Sequence, residues 1–129
     1  MGLEFKKLAE DVRGKILFLE YNGKKSLNIA EIKKGFARGG HYHPYEHYHP
    51  YEQYHVILSG KVEYREESLD TKKEQNRIIR APEIIKVQPN TAHLLIALED
   101  TLFLESFDED YIATDYPKYR KIVEQRMKI

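Results

Sequence analysis

The sequence predicts an all-β fold, an antiparallel barrel or sandwich closed by one short C-terminal helix. Three observations carry that expectation. Short runs of aliphatic, β-branched and aromatic residues recur along most of the chain, with Gly, Pro, Asn or Asp between them. No helical period separates these runs, which argues against alternating strand and helix units. A helical period appears only near the end, after Asp115. With 129 residues the chain is expected to form a single domain, 1–129, with one core. We place the barrel core at about 14–107 and the helical segment at about 115–128.

In order along the chain, Lys15–Tyr21 and Lys25–Ile32 flank Asn22-Gly23, the pair that a type I′ hairpin turn demands. Gly35, Gly39 and Gly40 then punctuate the approach to a histidine-rich stretch. Tyr54–Leu58, the turn Ser59-Gly60 and Lys61–Arg65 form a second predicted hairpin. Glu66 to Asn76 is charged and poor in apolar residues, so it is expected to be an exposed loop. Short strands follow near Arg77–Arg80, Ile84–Val87, His93–Leu98 and Leu102–Phe107. In the last segment Asp115 is the expected N-cap, with Pro117 two residues on. Tyr119, Ile122, Val123 and Met127 then share a helical face that packs on the barrel.

The strand His93–Leu98 is apolar on both faces: His93, Leu95 and Ala97 alternate with Leu94, Ile96 and Leu98. If His93 points inward, the other face needs a cover, either a further sheet or a second subunit. On this ground the chain is expected to be a homodimer.

Composition excludes several classes. Lys+Arg and Asp+Glu are both 21, a balance that argues against a nucleic-acid binder working by phosphate neutralisation. No apolar run has membrane-spanning length and the N-terminal residues lack a signal-peptide core, so a cytoplasmic location without membrane contact is expected. With no Cys, a metal site would draw on His with carboxylate or amide ligands.

Five of the six histidines fall between Gly39 and Gly60, where His-Tyr-His-Pro-Tyr-Glu occurs twice in succession. The sixth is His93. Taken alone, such a tract fits a surface loop that scavenges metal. Parity argues for more: His41, His43, His47, His49, Gln53 and His55 are all odd-numbered and line one face of extended backbone. Two imidazoles in His-x-His, one oxygen ligand and a distant His93 suit a divalent first-row ion such as Zn, Fe, Mn or Ni. On one continuous strand His41 and His47 would stand about 20 Å apart, so no mononuclear site uses all four repeat histidines.

The segment His47-Tyr-His49-Pro-Tyr-Glu-Gln53, followed after six intervening residues by Gly60, resembles the first motif of the cupin superfamily. The second motif is matched loosely by Gln88-Pro-Asn90-Thr-Ala-His93, with Asn90 where Gly is usual, a position Asn tolerates. The resemblance covers roughly Gly35 to Leu98 and implies a cupin double-stranded β-helix, or jelly roll, with His47, His49, Gln53 and His93 as metal ligands. Two departures weaken the metal set. Gln53 replaces the family's Glu, and Ala97 stands where Asn often follows the second-motif His.

A narrower similarity is to the sugar-nucleotide ketoisomerase branch of the cupins. It rests on Arg38-Gly-Gly-His41-Tyr-His43, on Glu52-Gln53, and on Asp110-Tyr-Ile112 with Asp115-Tyr116. That resemblance implies proton transfer on a keto-sugar by His41 and His43, without metal. His43 lies six residues too far from Gln53, the length of one repeat. Two registers therefore compete. In one His47 and His49 take the barrel position; in the other Arg38 to His43 does. Spacing to Gly60 favours the first.

Three functions remain open on sequence. The first is an isomerase or epimerase of a nucleotide-linked keto-sugar; Arg38 would meet a phosphate, and His55 and Tyr54 would contact the ligand. The second is a metal-dependent oxygenase or isomerase of a small polar substrate. The third is a non-catalytic small-molecule binding barrel. None of the three requires an organic cofactor.

Overall fold

The computed structural model describes residues 3–21, 24–42, 53–106 and 113–128. Eleven strands and one helix follow in order. They are β1 (Leu3–Asp11), β2 (Gly14–Tyr21), β3 (Lys24–Ile32), β4 (Ala37–Tyr42), β5 (Gln53–Ser59) and β6 (Lys61–Ser68). Then come β7 (Glu74–Arg80), β8 (Glu83–Val87), β9 (Thr91–Ala97), β10 (Thr101–Ser106), β11 (Thr114–Asp115) and α1 (Pro117–Met127). A six-stranded sheet runs β1-β2-β3-β10-β5-β8, and a five-stranded sheet runs β11-β4-β9-β6-β7. All pairings are antiparallel. The all-β class and the C-terminal helix predicted from the residue pattern are both present.

The sheets close on one another through alternation. Ile16, Ala30, Phe103 and Ile57 lie in register across β2, β3, β10 and β5 and face the smaller sheet. There they meet Val62 and Tyr64 of β6 and Leu95 and Ala97 of β9, all within one apolar core. The next inward row of the larger sheet is different: Phe18, Asn28, Glu105 and His55. The barrel is thus apolar in its middle and polar at one end.

Several expectations change. The region predicted as an exposed loop from Glu66 to Asn76 is mostly ladder: β6 continues to Ser68, and β7 starts at Glu74, with Glu67 opposite Glu74. Burial of Glu67 against the helix explains why a charged residue sits in a strand there. Asp115 is not the N-cap; it pairs with His41 in the short β11–β4 ladder, and Tyr116 takes the N-cap position without a side-chain capping bond. Strand β1 went unnoticed because its Lys, Glu and Asp residues mask any strand pattern. The Asn22-Gly23 turn lies outside the described residues, but β2 and β3 do pair as a hairpin. Most significantly, the outer face of β9 is covered by the chain's own helix. Tyr119 and Val123 pack on Ala92, Leu94 and Ile96, so this face does not call for a second subunit.

Two polar devices hold this arrangement. The Tyr116 hydroxyl donates to the buried Glu67 carboxylate. Lys118 Nζ donates to Glu67 Oε1 at 2.5 Å and to Glu74 Oε2 at 3.1 Å. These bonds hold the Lys118 ammonium above its ordinary pKa range, Glu67 contributing first. Gly60, in the turn before β6, has φ +94°, and a Cβ there would lie 2.4 Å from the Asp100 carbonyl oxygen.

Two outcomes follow for stability. Gly60→Ala is expected to destabilise by about 1–3 kcal/mol in urea unfolding, since strain and a backbone clash coincide. An unchanged midpoint would show that the turn adjusts freely. The Lys118 contribution, with a folded pKa raised above the unfolded one, is fully present below the ordinary lysine value of about 10.4 and lost as pH rises through the folded value. Glu67→Gln should therefore lower the melting temperature at neutral pH and flatten its fall at alkaline pH. Identical alkaline profiles for both proteins would refute the clamp.

Candidate functional site

The polar end of the barrel encloses a cavity of about 240 Å³. Its wall is built by residues from both sheets. Arg38, Gly39 and His41 come from β4, His93 and Leu95 from β9, His55 from β5, Asn28 from β3 and Glu105 from β10. Arg13 and Arg120 reach it from the β1–β2 turn and from α1.

Backbone register explains the grouping. On β4 and β9, His41 stands directly opposite His93, just after an irregularity that follows Gly39. Gly39 has φ +104°, and a Cβ there would sit 2.8 Å from the His93 carbonyl oxygen. Only glycine lets β4 pass this close, so the glycine run before the repeat is what seats His41 against His93. The two rings meet edge to face with centroids 4.5 Å apart. His55, from the facing sheet, approaches His93 in the same manner at 5.2 Å.

His55 and His93 are both 1% exposed, whereas His41 is only half-buried. His41 is thus the imidazole at the open side of a row of three. Behind the row lies Glu105, opposite His55 on the paired strands. Its Oε2 is 3.4 Å from His55 Nε2, an ion-pair distance without the alignment of a hydrogen bond, and its Oε1 accepts from Gln53 Nε2 at 3.3 Å.

Arg38 is 6% exposed. Its Nε donates to the Glu31 carbonyl at 2.7 Å and its Nη2 to the Gly14 carbonyl at 3.2 Å, so these bonds go to neutral groups. Burial pushes its pKa down to about 10, and the neighbouring Arg13 adds to that effect. Arg13 itself is held by Asp11, whose carboxyl the guanidinium depresses to about 2. Arg120 donates from Nη1 to the Gly39 carbonyl at 3.1 Å. Three guanidinium groups line the cavity with one carboxylate, Glu105, while Asp11 and Glu31 act on Arg13 and Arg38 from behind the wall, so the cavity surface itself presents more cationic than anionic groups. Asn28 Oδ1 is buried without a hydrogen-bond partner at the same wall, an acceptor open to a ligand hydroxyl or amide.

Of the residues singled out in the sequence, Arg38, His41, His55 and His93 come together in this cavity. Gln53 is buried beside it through Glu105. Tyr54 is turned the other way, because neighbouring side chains on β5 alternate and both Gln53 and His55 point inward. His43, His47 and His49 lie outside the described residues, as do Glu52, Asp110 and Ile112. Asn28, Glu105 and Arg120 were not anticipated. Asn28 and Glu105 carry a readable signal, each being a polar residue at inward parity within an apolar strand. Arg120 carries none, since it reaches the site from a helix.

Among the described residues no group of three histidine or carboxylate side chains is arranged to hold a metal ion. Among the same residues no helix is long and apolar enough to cross a membrane.

No family model matches the chain, and no curated protein matches it in sequence. Solved structures do match in fold. The capsular polysaccharide assembling protein CapF from Staphylococcus aureus superposes with a TM-score of 0.68 at 16% identity, over 89% of this chain and 33% of that one. Oxalate decarboxylase from Bacillus subtilis, studied for its Mn(II) centres, gives 0.68 at 18% identity over 96% and 35%. The CENP-C cupin domain of Drosophila melanogaster gives 0.60 at 14% identity over 81% and 74%. The chain spans about a third of the length of the first two proteins. Two antiparallel sheets closed around a polar pocket, matched to these structures over most of its length, make this chain a cupin-fold barrel.

Proposed function

We propose that the chain is an isomerase or epimerase acting on an anionic keto-sugar, of nucleotide-linked type, with His41 as the proton-transfer group. The observation that carries this reading is that Arg38 and His41 line one cavity together with His55 and His93. They are the described part of the Arg-Gly-x-His-x-His segment. Histidine has an ordinary pKa near neutrality and so both takes and returns a proton at physiological pH. In the proposed reaction His41 removes a proton from the carbon beside the substrate carbonyl. In an isomerisation the proton returns to the former carbonyl carbon while the hydroxyl proton passes to the other oxygen; in an epimerisation solvent supplies a proton on the opposite face and the one held by His41 returns to solvent, so that neither leaves a net change in atoms or electrons. His93 holds the His41 ring in place by edge contact and is itself backed by His55. Asn28 Oδ1 accepts from a sugar hydroxyl, and the guanidinium groups meet the negative charge of the linked phosphate. A cavity of about 240 Å³ holds a sugar-sized group, with a nucleotide extending toward the mouth. The fold likeness to CapF, a capsular polysaccharide assembling protein, is compatible with sugar chemistry.

A second reading is a divalent metal held by His47, His49, Gln53 and His93. What favours it is the position of His93 at the cavity, together with the Mn(II) centres of oxalate decarboxylase in the same fold.

Solvent deuterium exchange separates the possibilities. Incubation in D₂O with a panel of nucleotide-linked keto-sugars is expected to label the carbon next to the carbonyl, and His41→Asn should slow labelling by about 10²–10⁴-fold. Labelling that survives His41→Asn would remove this residue from the role; binding without labelling across the panel would point to a non-catalytic barrel. Elemental analysis of untagged protein after metal supplementation is expected to find a substoichiometric amount of Zn, Fe, Mn and Ni. One equivalent, lost in His93→Ala, would establish the metal reading instead.

A further inference from the structure

Arg120 enters the cavity wall from outside the two sheets. Its helix packs on the outer face of β9 through Tyr119 and Val123, yet its side chain lines the inside of the barrel. It gets there past Gly40. That residue has φ +82°, and a Cβ on it would lie 2.8 Å from Arg120 Cδ and 3.1 Å from Arg120 N. Any other residue would push the helix off the strand. Tyr116 N donates to the Gly40 carbonyl at 2.8 Å and Arg120 N to the Tyr116 carbonyl at 2.9 Å. One helical turn, Tyr116 to Arg120, is thereby tied to the strand that carries His41.

The three guanidinium groups at the cavity are committed to different degrees. Arg38 is fixed at Nε and Nη2 by two backbone carbonyls, and Arg13 is paired with Asp11. Arg120 is half-buried, and among the described residues its side chain bonds only to the Gly39 carbonyl, through Nη1. A guanidinium is a planar fork of five N–H donors, so the Nε–Nη2 edge of Arg120 is left for a phosphoryl group. What fixes this side chain lies elsewhere. Glu67, 5% exposed, stands on β6, two strands away from β4 in the smaller sheet and outside the cavity wall. Its carboxylate accepts from the Tyr116 hydroxyl and from Lys118 Nζ, both in the turn that leads to Arg120. We infer that Arg120 is a specificity-determining residue that reads the diphosphate of the ligand, and that Glu67 is the positioning residue that sets it through α1. This role deepens the anionic-ligand reading above and rests on it. Loosening the first turn displaces the guanidinium, and a two-pronged bond to phosphate tolerates little displacement. An uncharged sugar gains nothing from Arg120, so the residue discriminates in favour of charge.

Calorimetric titration with inorganic pyrophosphate, at constant ionic strength and without added metal, is the test. The wild-type chain is expected to bind it, and Arg120→Gln should weaken binding by about 10–100-fold. Glu67→Gln should weaken it by about 5-fold or more. Once Arg120→Gln is present, Glu67→Gln should have no further effect, because a positioning residue acts only through the residue it positions. A role of Glu67 in stability alone would leave affinity unchanged, as is expected for Gly60→Ala, which strains a turn that does not line the cavity. Three results overturn the assignment: a wild type that does not bind pyrophosphate at millimolar concentration, an Arg120→Gln of wild-type affinity, or effects of the two substitutions that simply multiply. Should Arg120→Gln lose its fold, Arg120→Lys takes its place in the same cycle, keeping the charge and losing the fork. Proton transfer is read separately. Pyrophosphate binding that depends on Arg120, without solvent labelling of any keto-sugar, removes the isomerase and keeps the role of Arg120; labelling with an affinity indifferent to Arg120 does the reverse.

Discussion

Everything at the site depends on how closely β4 can approach β9. Cross-strand neighbours in a ladder are held at fixed spacing, so the side chain opposite His93 is chosen by the backbone register. That register contains an irregularity after Gly39, and the two glycines before His41 both have positive φ. A residue with a Cβ at position 39 would meet the His93 carbonyl and force the strands apart. The close approach therefore comes from residues without side chains, and it sets three imidazoles in contact.

The price of that grouping is a polar row inside a barrel. Burying imidazole and guanidinium groups is unfavourable in itself, and a core made only of aliphatic residues would avoid it. The apolar layer of Ile57, Tyr64, Leu95 and Phe103 lies next to the polar row and excludes water from one side of it. The Tyr64 hydroxyl is itself buried without a hydrogen-bond partner, and burial raises its pKa well above the ordinary range. Its ring nonetheless packs edge to face on His55, with centroids 6.2 Å apart. Such sites, where local rules of burial are broken while the surrounding strands obey them, are where binding and chemistry concentrate.

Much of this was legible beforehand because β-structure writes its faces into parity. Gln53 and His55 turn inward and Tyr54 outward, as a two-residue period requires. Asn90 adopts φ +53° where a glycine is usual, and Gly60 closes a turn that admits no Cβ. Other features escaped because their cause is tertiary. In the charged β6–β7 ladder the buried Glu67 is satisfied by Tyr116 and by Lys118 of the helix, partners that strand residues alone do not reveal. The apolar outer face of β9 was recognised, but a strand cannot announce whether its cover is a helix of the same chain or another subunit. Spacing to Gly60 favours His47 and His49 for the barrel position; those two lie outside the described residues, and on β4 it is His41 that stands opposite His93.

Arg38 connects the architecture to the chemistry. Its guanidinium is anchored at Nε and Nη2 by the backbone carbonyls of β3 and β2, so two strands of the larger sheet hold a cation that arises from the smaller one. No carboxylate neutralises it by hydrogen bond, and Arg13 beside it already has Asp11. Asp11, Glu31 and Glu105 offset part of the cost of burying this cation, and none of them bonds to it directly. In the proposed reaction an anionic ligand would add negative charge there and rest beside His41, the half-exposed member of the imidazole row. Binding and proton transfer would then draw on one short segment, Arg38 to His41, whose geometry the glycines between them determine.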